Sequence, residues 1–263
     1  MLRKGDLTQG GITGTLLHFT LPMLVGSFLQ QCYNIADTLI VGQCIGAGAL
    51  AAVGSAYTLM VFLISVLLGL AMGSGTVFSL HYGAGNHVAL RRSIFSSFVL
   101  IGIVTLILNV AVFIWLDPIL RLLQVPQDIY GMMRSYLWII FCGIVFTFIY
   151  NFYASLLRAV GDSVTPLWFL AVSVVLNIAL DLFFILQLDW GIQGAAAATV
   201  LAQGVAALGI IIYTYRRRPE LRWHHEDMCF DRTCLKEIAS FSTLTCIQQS
   251  VMNLGILMAQ GLV

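Results

Sequence analysis

Long apolar stretches dominate the chain and are separated by short polar breaks. A bilayer core requires about 20 apolar residues per spanning helix, and roughly seven stretches meet that requirement. Their approximate bounds are 13–41, 50–80, 91–116, 129–156, 165–187, 191–215 and 239–263. The pattern predicts an all-α fold, a polytopic membrane helix bundle that interacts with the lipid bilayer.

The polar breaks between these stretches differ in length. The longest break, RRRPELRWHHEDMCFDRTCLKE, follows the sixth stretch. Since transporters are often built from repeated halves, we expect a six-helix N-terminal lobe of a two-lobe transporter at 1–215, an inter-lobe loop at 216–238 and the first helix of a C-terminal lobe at 239–263. This last stretch reaches Val263 without the charge or aromatic anchor that usually ends a span. The pattern therefore predicts a fragment cut within its seventh helix, the alternative being a short natural tail.

Composition supports membrane insertion. Of the 263 residues, 59% are apolar and only 10% are charged, whereas soluble domains carry about 25% charged residues. The net charge of +1 gives no basic surface, so nucleic acid is not an expected partner. The six cysteines have no framework spacing and are expected to be free thiols that pack as small apolar residues.

The basic residues are distributed asymmetrically between the two ends of the predicted spans. Every Lys and Arg except Arg121 and Arg134 falls on the same side as the N-terminus. Cytoplasmic segments carry the excess of basic residues in membrane proteins. We therefore expect a multi-pass membrane protein whose N-terminus and loop 216–238 are cytoplasmic.

Two acidic residues lie within predicted spans. Asp37 belongs to the first stretch, and Asp181 interrupts the apolar run VLNIALDLFFI in the fifth. A charged side chain at the centre of a bilayer costs about 2.5–3.5 kcal/mol on insertion scales and usually faces a functional cavity. The alternative is a purely structural contact between helices.

Other polar residues share helix faces with these two acids. They fall at helical spacing and predict a wet pocket shared by four spans. The sets are Gln30, Tyr33, Asn34 and Asp37; Thr147 and Asn151; Ser173, Asn177 and Asp181; and Thr199 and Gln203.

Carboxyl groups in such a pocket could exchange a proton near neutral pH. With the oxygens of Asn177 and Thr199, the two carboxylates could equally hold Na⁺. The residues leave this choice open. By contrast, His224, His225, Cys229 and Cys234 do not have the spacing of a zinc site, so we predict a solvated loop and no metal centre.

Four stretches in this order resemble the multidrug and toxic compound extrusion (MATE) family of secondary transporters. They are LPMLVGSFLQQCYNIADTLIVG, HYGAGNHVALRRS, LLRAVGDSVTP, and LNIALDLFFI with the following GIQGAAAATVLAQ. The resemblance implies two six-helix halves around a central cleft. It also implies export of organic cations and other small amphipathic organic compounds in exchange for H⁺ or Na⁺, with no other cofactor, and a C-terminal lobe missing from this chain as a partner.

The resemblance also implies roles for particular residues. The cation-coupling positions of the family match Asp37, Asn177, Asp181 and Thr199, and a polar position that faces the substrate cleft matches Gln30. Tyr33, Asn34 and Asn151 are assigned to the cleft because of their helix faces.

Two other functions are alternatives. A flippase of related fold, acting on a lipid-linked precursor, would need cationic residues to hold a diphosphate, and no Lys or Arg lies at the centre of a predicted span. A membrane-embedded enzyme is the second alternative. The GxSxG and HExxH motifs are missing, although two aspartates about 3 Å apart would resemble an aspartyl dyad.

Overall fold

The computed structural model describes residues 12–122, 124–222 and 232–260, with the side chains of 12, 13, 15, 16, 18, 58, 232, 233 and 253–260 outside that description. The described residues form helices joined by short turns. The α-helices are α1 (Ile12–Cys44), α2 (Ala47–Gly83), α3 (His87–Leu122), α4 (Gln127–Cys142), α5 (Ile144–Ala159), α6 (Val164–Leu182), α7 (Gly191–Arg217) and α8 (Arg232–Gln260). A π-helical turn, Phe183–Gln187, extends α6, and a 3₁₀ turn, Pro219–Leu221, follows α7. The predicted all-α fold is confirmed.

The predicted stretch 129–156 corresponds to α4 and α5 together, a candidate span that is bent by 47° at Gly143. Gly143 lies against Val200 of α7, and a Cβ at Gly143 would be 2.7 Å from Val200 Cγ1. Because real Cβ atoms do not approach so closely, the bend needs a glycine.

Several helices are long and apolar enough to span a membrane. Among the described residues, four helices meet this criterion: α2, α3, α7, and α6 together with its π-helical turn. The bent pair of α4 and α5 makes a fifth candidate. Because α1 and α8 include positions outside the described residues, they remain predictions as spans. The predicted cut within the seventh stretch is untested, since residues 261–263 lie outside the description.

The core surrounds α2, which packs against α1, α3, α4, α5 and α8. Fully buried aromatic residues from three helices fill it, among them Phe78 and Phe152, whose rings meet edge to face. The outer face of α3 instead exposes large apolar side chains: Ile103, Leu106, Ile107, Val110 and Ile114. An apolar patch of this kind suits contact with lipid.

Helices α2 and α8 approach closely along small residues. Gly69 lies against Cys246, and a Cβ at Gly69 would be 2.5 Å from the Cys246 Cα atom. Thr245 donates its hydroxyl hydrogen to the Gly69 carbonyl oxygen at 2.6 Å. Small residues let helix backbones approach and form such bonds in membranes. We call this contact, with Gly73 and Ser242 one turn further along, the α2–α8 seam.

The turn between α5 and α6 is closed by Asp162. Its Oδ1 accepts from the backbone N–H of Thr165 at 3.0 Å, and its Oδ2 accepts from the Thr165 hydroxyl at 2.9 Å. Arg218, just after α7, also contacts Oδ2 at 3.4 Å. The preceding Gly161 has φ 87°, which favours glycine. The GDSVTP stretch therefore ties this turn to the end of α7.

Candidate ion-binding site

Asp37 and Asp181 lie together inside the bundle. Helices α1 and α6 pack side by side and bury both residues, so that Asp37 is 8% exposed and Asp181 is 0% exposed. Their carboxyl groups lie close enough to interact electrostatically. The fold thus brings the two acids of the predicted spans into one site.

The proximity of these carboxyl groups has a chemical consequence. An ionised carboxylate only accepts hydrogen bonds, so a direct hydrogen bond between two carboxyl groups requires a proton on one of them. One oxygen of each group, Asp37 Oδ1 and Asp181 Oδ1, is buried without a hydrogen-bond partner among the described residues. The site therefore has acceptor atoms that fit a proton or a small cation.

Asn177 lies one helical turn before Asp181 in α6 and is fully buried. In one amide orientation its Nδ2 donates only to Thr199 Oγ1, at 3.3 Å. In the other, Nδ2 donates to Asp181 Oδ2 at 3.0 Å and Oδ1 accepts from the Thr199 backbone N–H at 3.3 Å. We assign the second orientation because it satisfies both amide atoms. Asn177 then connects Asp181 to α7.

Tyr33 connects the site to α7 from the other side. It lies one turn before Asp37 in α1, and its hydroxyl donates to Thr199 Oγ1 at 3.2 Å. Thr199 itself is buried. The four residues of the predicted cation-coupling set, together with Tyr33, therefore form one cluster, which we call the carboxyl cluster. Tyr33 was expected in the cleft and instead hydrogen-bonds within this cluster.

Tyr136 of α4 was not predicted. It is buried, and it lies close enough to Tyr33, Asp37 and Asp181 to interact with them electrostatically. A tyrosine in an apolar stretch gives no signal in the sequence, because its helix face becomes meaningful only once α4 is placed beside α1 and α6.

Two residues assigned to the cleft lie outside the carboxyl cluster. Gln30 is exposed. Asn34 is half-buried and donates to Gln31 Oε1 of its own helix at 3.2 Å. Their side chains remain available to a ligand on the surface of α1.

Asn151, the third residue assigned to the cleft, belongs to a second polar cluster between α5 and α7. Its amide donates to the Thr147 carbonyl oxygen at 2.8 Å, and the Thr147 hydroxyl donates to Gln203 Oε1. Gln203 follows Thr199 by one turn of α7. In the described part of the chain, the predicted polar faces therefore meet as two adjacent clusters.

Potential metal ligands in the loop cannot be placed, because His224, His225 and Cys229 lie outside the described residues. Cys234 is buried, and its Sγ lies 3.2 Å from the Ser93 hydroxyl. Across the described residues, no group of three or more His, Cys, Asp or Glu side chains could hold a metal ion.

Comparison with known proteins places the chain in a family. The MatE family model matches residues 22–183. The probable multidrug resistance protein YpnP of Bacillus subtilis (strain 168) is 36% identical over 82% of this chain. The match covers 49% of YpnP, so the chain spans about half the length of the curated relatives it matches.

Solved structures show the same fold. An outward-facing MATE transporter of the MOP superfamily superposes with a TM-score of 0.90 at 24% identity, over 98% of this chain and 57% of that one. An inward-facing MATE transporter gives 0.78 at 25% identity, over 91% of this chain and 55% of that one.

These matches also bear on the enzyme alternative. Asp37 and Asp181 are close enough to interact electrostatically, so their placement alone does not exclude an aspartyl dyad. The matched family and relatives are transporters rather than enzymes. Because the family model covers more than half of the sequence, this chain belongs to the MatE family of multidrug and toxic compound extrusion transporters.

Proposed function

We propose that this chain forms the cation-coupling half of a secondary exporter, which moves organic cations and related drugs out of the cell in antiport with H⁺ or Na⁺. The multidrug resistance name of its relative YpnP supports drug efflux. Because the chain spans about half of that relative, a second lobe completes the transport cleft in this proposal. The protein then lies in the bacterial inner membrane with a cytoplasmic N-terminus.

The proximity of Asp37 and Asp181 carries the proposal. Two acids that packing holds together inside a membrane protein are kept only if something positive binds between or beside them. Their unpartnered oxygens, Asp37 Oδ1 and Asp181 Oδ1, are the atoms that such a cation would contact.

Coupling follows from a difference in affinity between two states. With the ion bound, α1 and α6 remain together around the neutralised pair. Loss of the ion leaves two negative charges side by side, which favours a rearrangement of α1 relative to α6 and α7. A cationic drug that binds the rearranged state more tightly would then be exchanged for the ion.

The Asn177 amide fits either coupling ion. In one orientation it presents N–H to Asp181 Oδ2, and in the other it presents its oxygen, which accepts from a protonated carboxyl group or binds Na⁺. For the flippase alternative, no residue of the carboxyl cluster is cationic, so a diphosphate would lack a partner there.

The test uses the complete transporter that contains this chain, reconstituted in liposomes. Addition of a cationic drug should release one of the two ions, read in parallel with a pH-sensitive dye in weakly buffered medium and with a sodium-sensitive dye. The dye that responds identifies the coupling ion. Drug binding that releases neither ion, with the Asp181→Asn variant behaving like the wild type, would contradict the function itself.

A further inference from the structure

A cavity of about 220 Å³ opens between α2, α3 and α8. It is formed where the last turn of α2 meets the first two turns of α3 and of α8, and it includes no residue of the carboxyl cluster. This is the end of the bundle that carries the basic residues of the HYGAGNHVALRRS stretch. Its lining includes His81, Asn86, Val88, Arg92 and Glu237.

The cavity contains charges of both signs. The Arg92 Nε atom is buried and has no hydrogen-bond partner among the described residues. Leaving a buried group of a charged side chain unsatisfied is expensive, which indicates that a ligand completes the site. Glu237 of α8 also lines the cavity; it is half exposed, and its Oε2 lies 3.7 Å from His81 Nε2.

These charges favour a ligand that carries one negative and one positive group. A purely anionic group that reached Arg92 would also face the Glu237 carboxylate, and a purely cationic group would face the guanidinium. A ligand that carries both a phosphate and an ammonium group satisfies both side chains together. Arginine binds phosphate oxygens well because its N–H groups form a planar fork, and an ammonium group donates to a carboxylate.

The surroundings point to a lipid as the source of this ligand. Val88, in the cavity lining, is 48% exposed, and Leu80, beside His81 in the sequence, is 56% exposed. Apolar side chains therefore border a polar cavity at the end of candidate membrane spans, as headgroup and acyl chain require. We propose that the cavity binds the phosphoethanolamine headgroup of a membrane phospholipid, with its phosphate on Arg92 and its ammonium on Glu237.

Such a lipid would connect two parts of the protein. Arg92 belongs to α3 and Glu237 to α8, and these helices also meet directly. The chain spans about half the length of its relative YpnP, and α8 is expected from the sequence to begin the second lobe. A bound headgroup would therefore hold α8 against the first six spans.

The first experiment needs no variant. The chain is purified in detergent and mixed with equal amounts of phosphatidylethanolamine, phosphatidylglycerol and phosphatidylcholine of matched acyl chains, and bound lipid is read by native mass spectrometry. We expect phosphatidylethanolamine to bind about tenfold more tightly than either competitor, as the loss of one charged hydrogen bond predicts. Equal binding of the three lipids would overturn the proposal.

Variants then test the contributions of Arg92 and Glu237 separately. Arg92→Gln should weaken binding of phosphatidylethanolamine about tenfold, and Glu237→Gln should remove the preference over phosphatidylcholine. Lys236→Gln is the matched control, because this exposed residue neighbours Glu237 but does not line the cavity. Wild-type lipid selectivity in both cavity variants would overturn the proposal, and that selectivity would itself show that they fold.

A final competition experiment distinguishes a lipid headgroup from a free soluble ligand. Free O-phosphoethanolamine carries the same charges without acyl chains, and we expect it to displace the lipid only at a much higher concentration. If it competes with the lipid at equal concentration, the cavity is a site for a soluble zwitterion and the lipid assignment fails.

Discussion

Asp37 in α1 and Asp181 in α6 are buried side by side, close enough for their carboxyl groups to interact electrostatically. Neither acid can be considered alone, because a change in the charge of one alters the free energy of binding an ion at the other. The pair also lies where α1, α6 and α7 converge, joined to α7 through Tyr33, Asn177 and Thr199. A local change in charge therefore acts on the packing of three helices.

Replacing either acid should abolish ion-driven efflux. In the complete transporter, Asp37→Asn and Asp181→Asn keep the shape of the side chain but remove a negative charge, so an ion no longer neutralises a pair. Drug resistance of cells that express either variant should fall to that of cells without the transporter. Asp128→Asn, at an exposed position in the first turn of α4, should keep wild-type resistance. Unchanged resistance in the Asp181 variant would refute the assignment.

Thr199 should contribute more than Tyr33 to the carboxyl cluster. Tyr33→Phe removes one hydrogen bond, worth about 0.5–1.5 kcal/mol, and should weaken ion binding two- to tenfold. Thr199→Ala leaves the Tyr33 hydroxyl without its acceptor and should weaken it further. Thr199→Ser keeps the hydroxyl and serves as control. Ion affinity can be measured as the concentration of ion needed for half-maximal drug exchange in liposomes, and equal effects of the two Thr199 variants would argue against this hydrogen bond.

The α2–α8 seam should not tolerate an added methyl group. A Cβ at Gly69 or Gly73 would overlap backbone atoms of α8, and overpacking of this kind costs about 1–3 kcal/mol. Gly69→Ala and Gly73→Ala should each lower the melting temperature in detergent. Gly54→Ala, which adds a Cβ to the same helix with nothing within 4 Å, should leave the melting temperature unchanged or raise it. Identical melting of all three variants would show that α8 does not pack this closely.

The ion pair between Asp162 and Arg218 should respond to salt but not to pH near neutrality. Burial by itself lowers the pKa of Arg218, but the hydrogen bond and negative charge of Asp162 outweigh burial and raise that pKa above its ordinary value. A raised pKa means that the stabilisation is present below the ordinary range of arginine and is lost only above it. Melting should therefore be constant across neutral pH and fall modestly with added salt.

A double-mutant cycle isolates this pair. Asp162→Ala should cost about 0.5–2 kcal/mol, because it also removes the acceptor for the Thr165 N–H at the start of α6. Arg218→Gln should cost less, and the coupling between the two changes should be about 0.2–1 kcal/mol. Additive effects in the cycle would show that the guanidinium contributes nothing through Asp162.

Hydropathy was sufficient to locate the helices but not their shapes. Each predicted apolar stretch corresponds to a described helix or to the bent pair, because the bilayer requirement acts on a continuous segment of chain. The helices extend beyond the apolar stretches; α3, for example, continues past Asp117 to Leu122. The bend at Gly143 depends on Val200 of another helix and has no signature in the local sequence.

At the candidate site, too, the sequence specified the helix faces and the packing of the helices specified the contacts. Helical spacing placed Asp37 on one face with Tyr33, and Asn177 on one face with Asp181, since the period of the α-helix is fixed by its backbone. The sequence by itself therefore determined which polar residues share a helix face. Only the packing of α1 and α4 against α6 and α7 decided which of these residues touch, so that Tyr136 approaches the acids while Asn34 turns to Gln31. Contacts between helices depend on distances in space, which the order of residues along the chain does not encode locally.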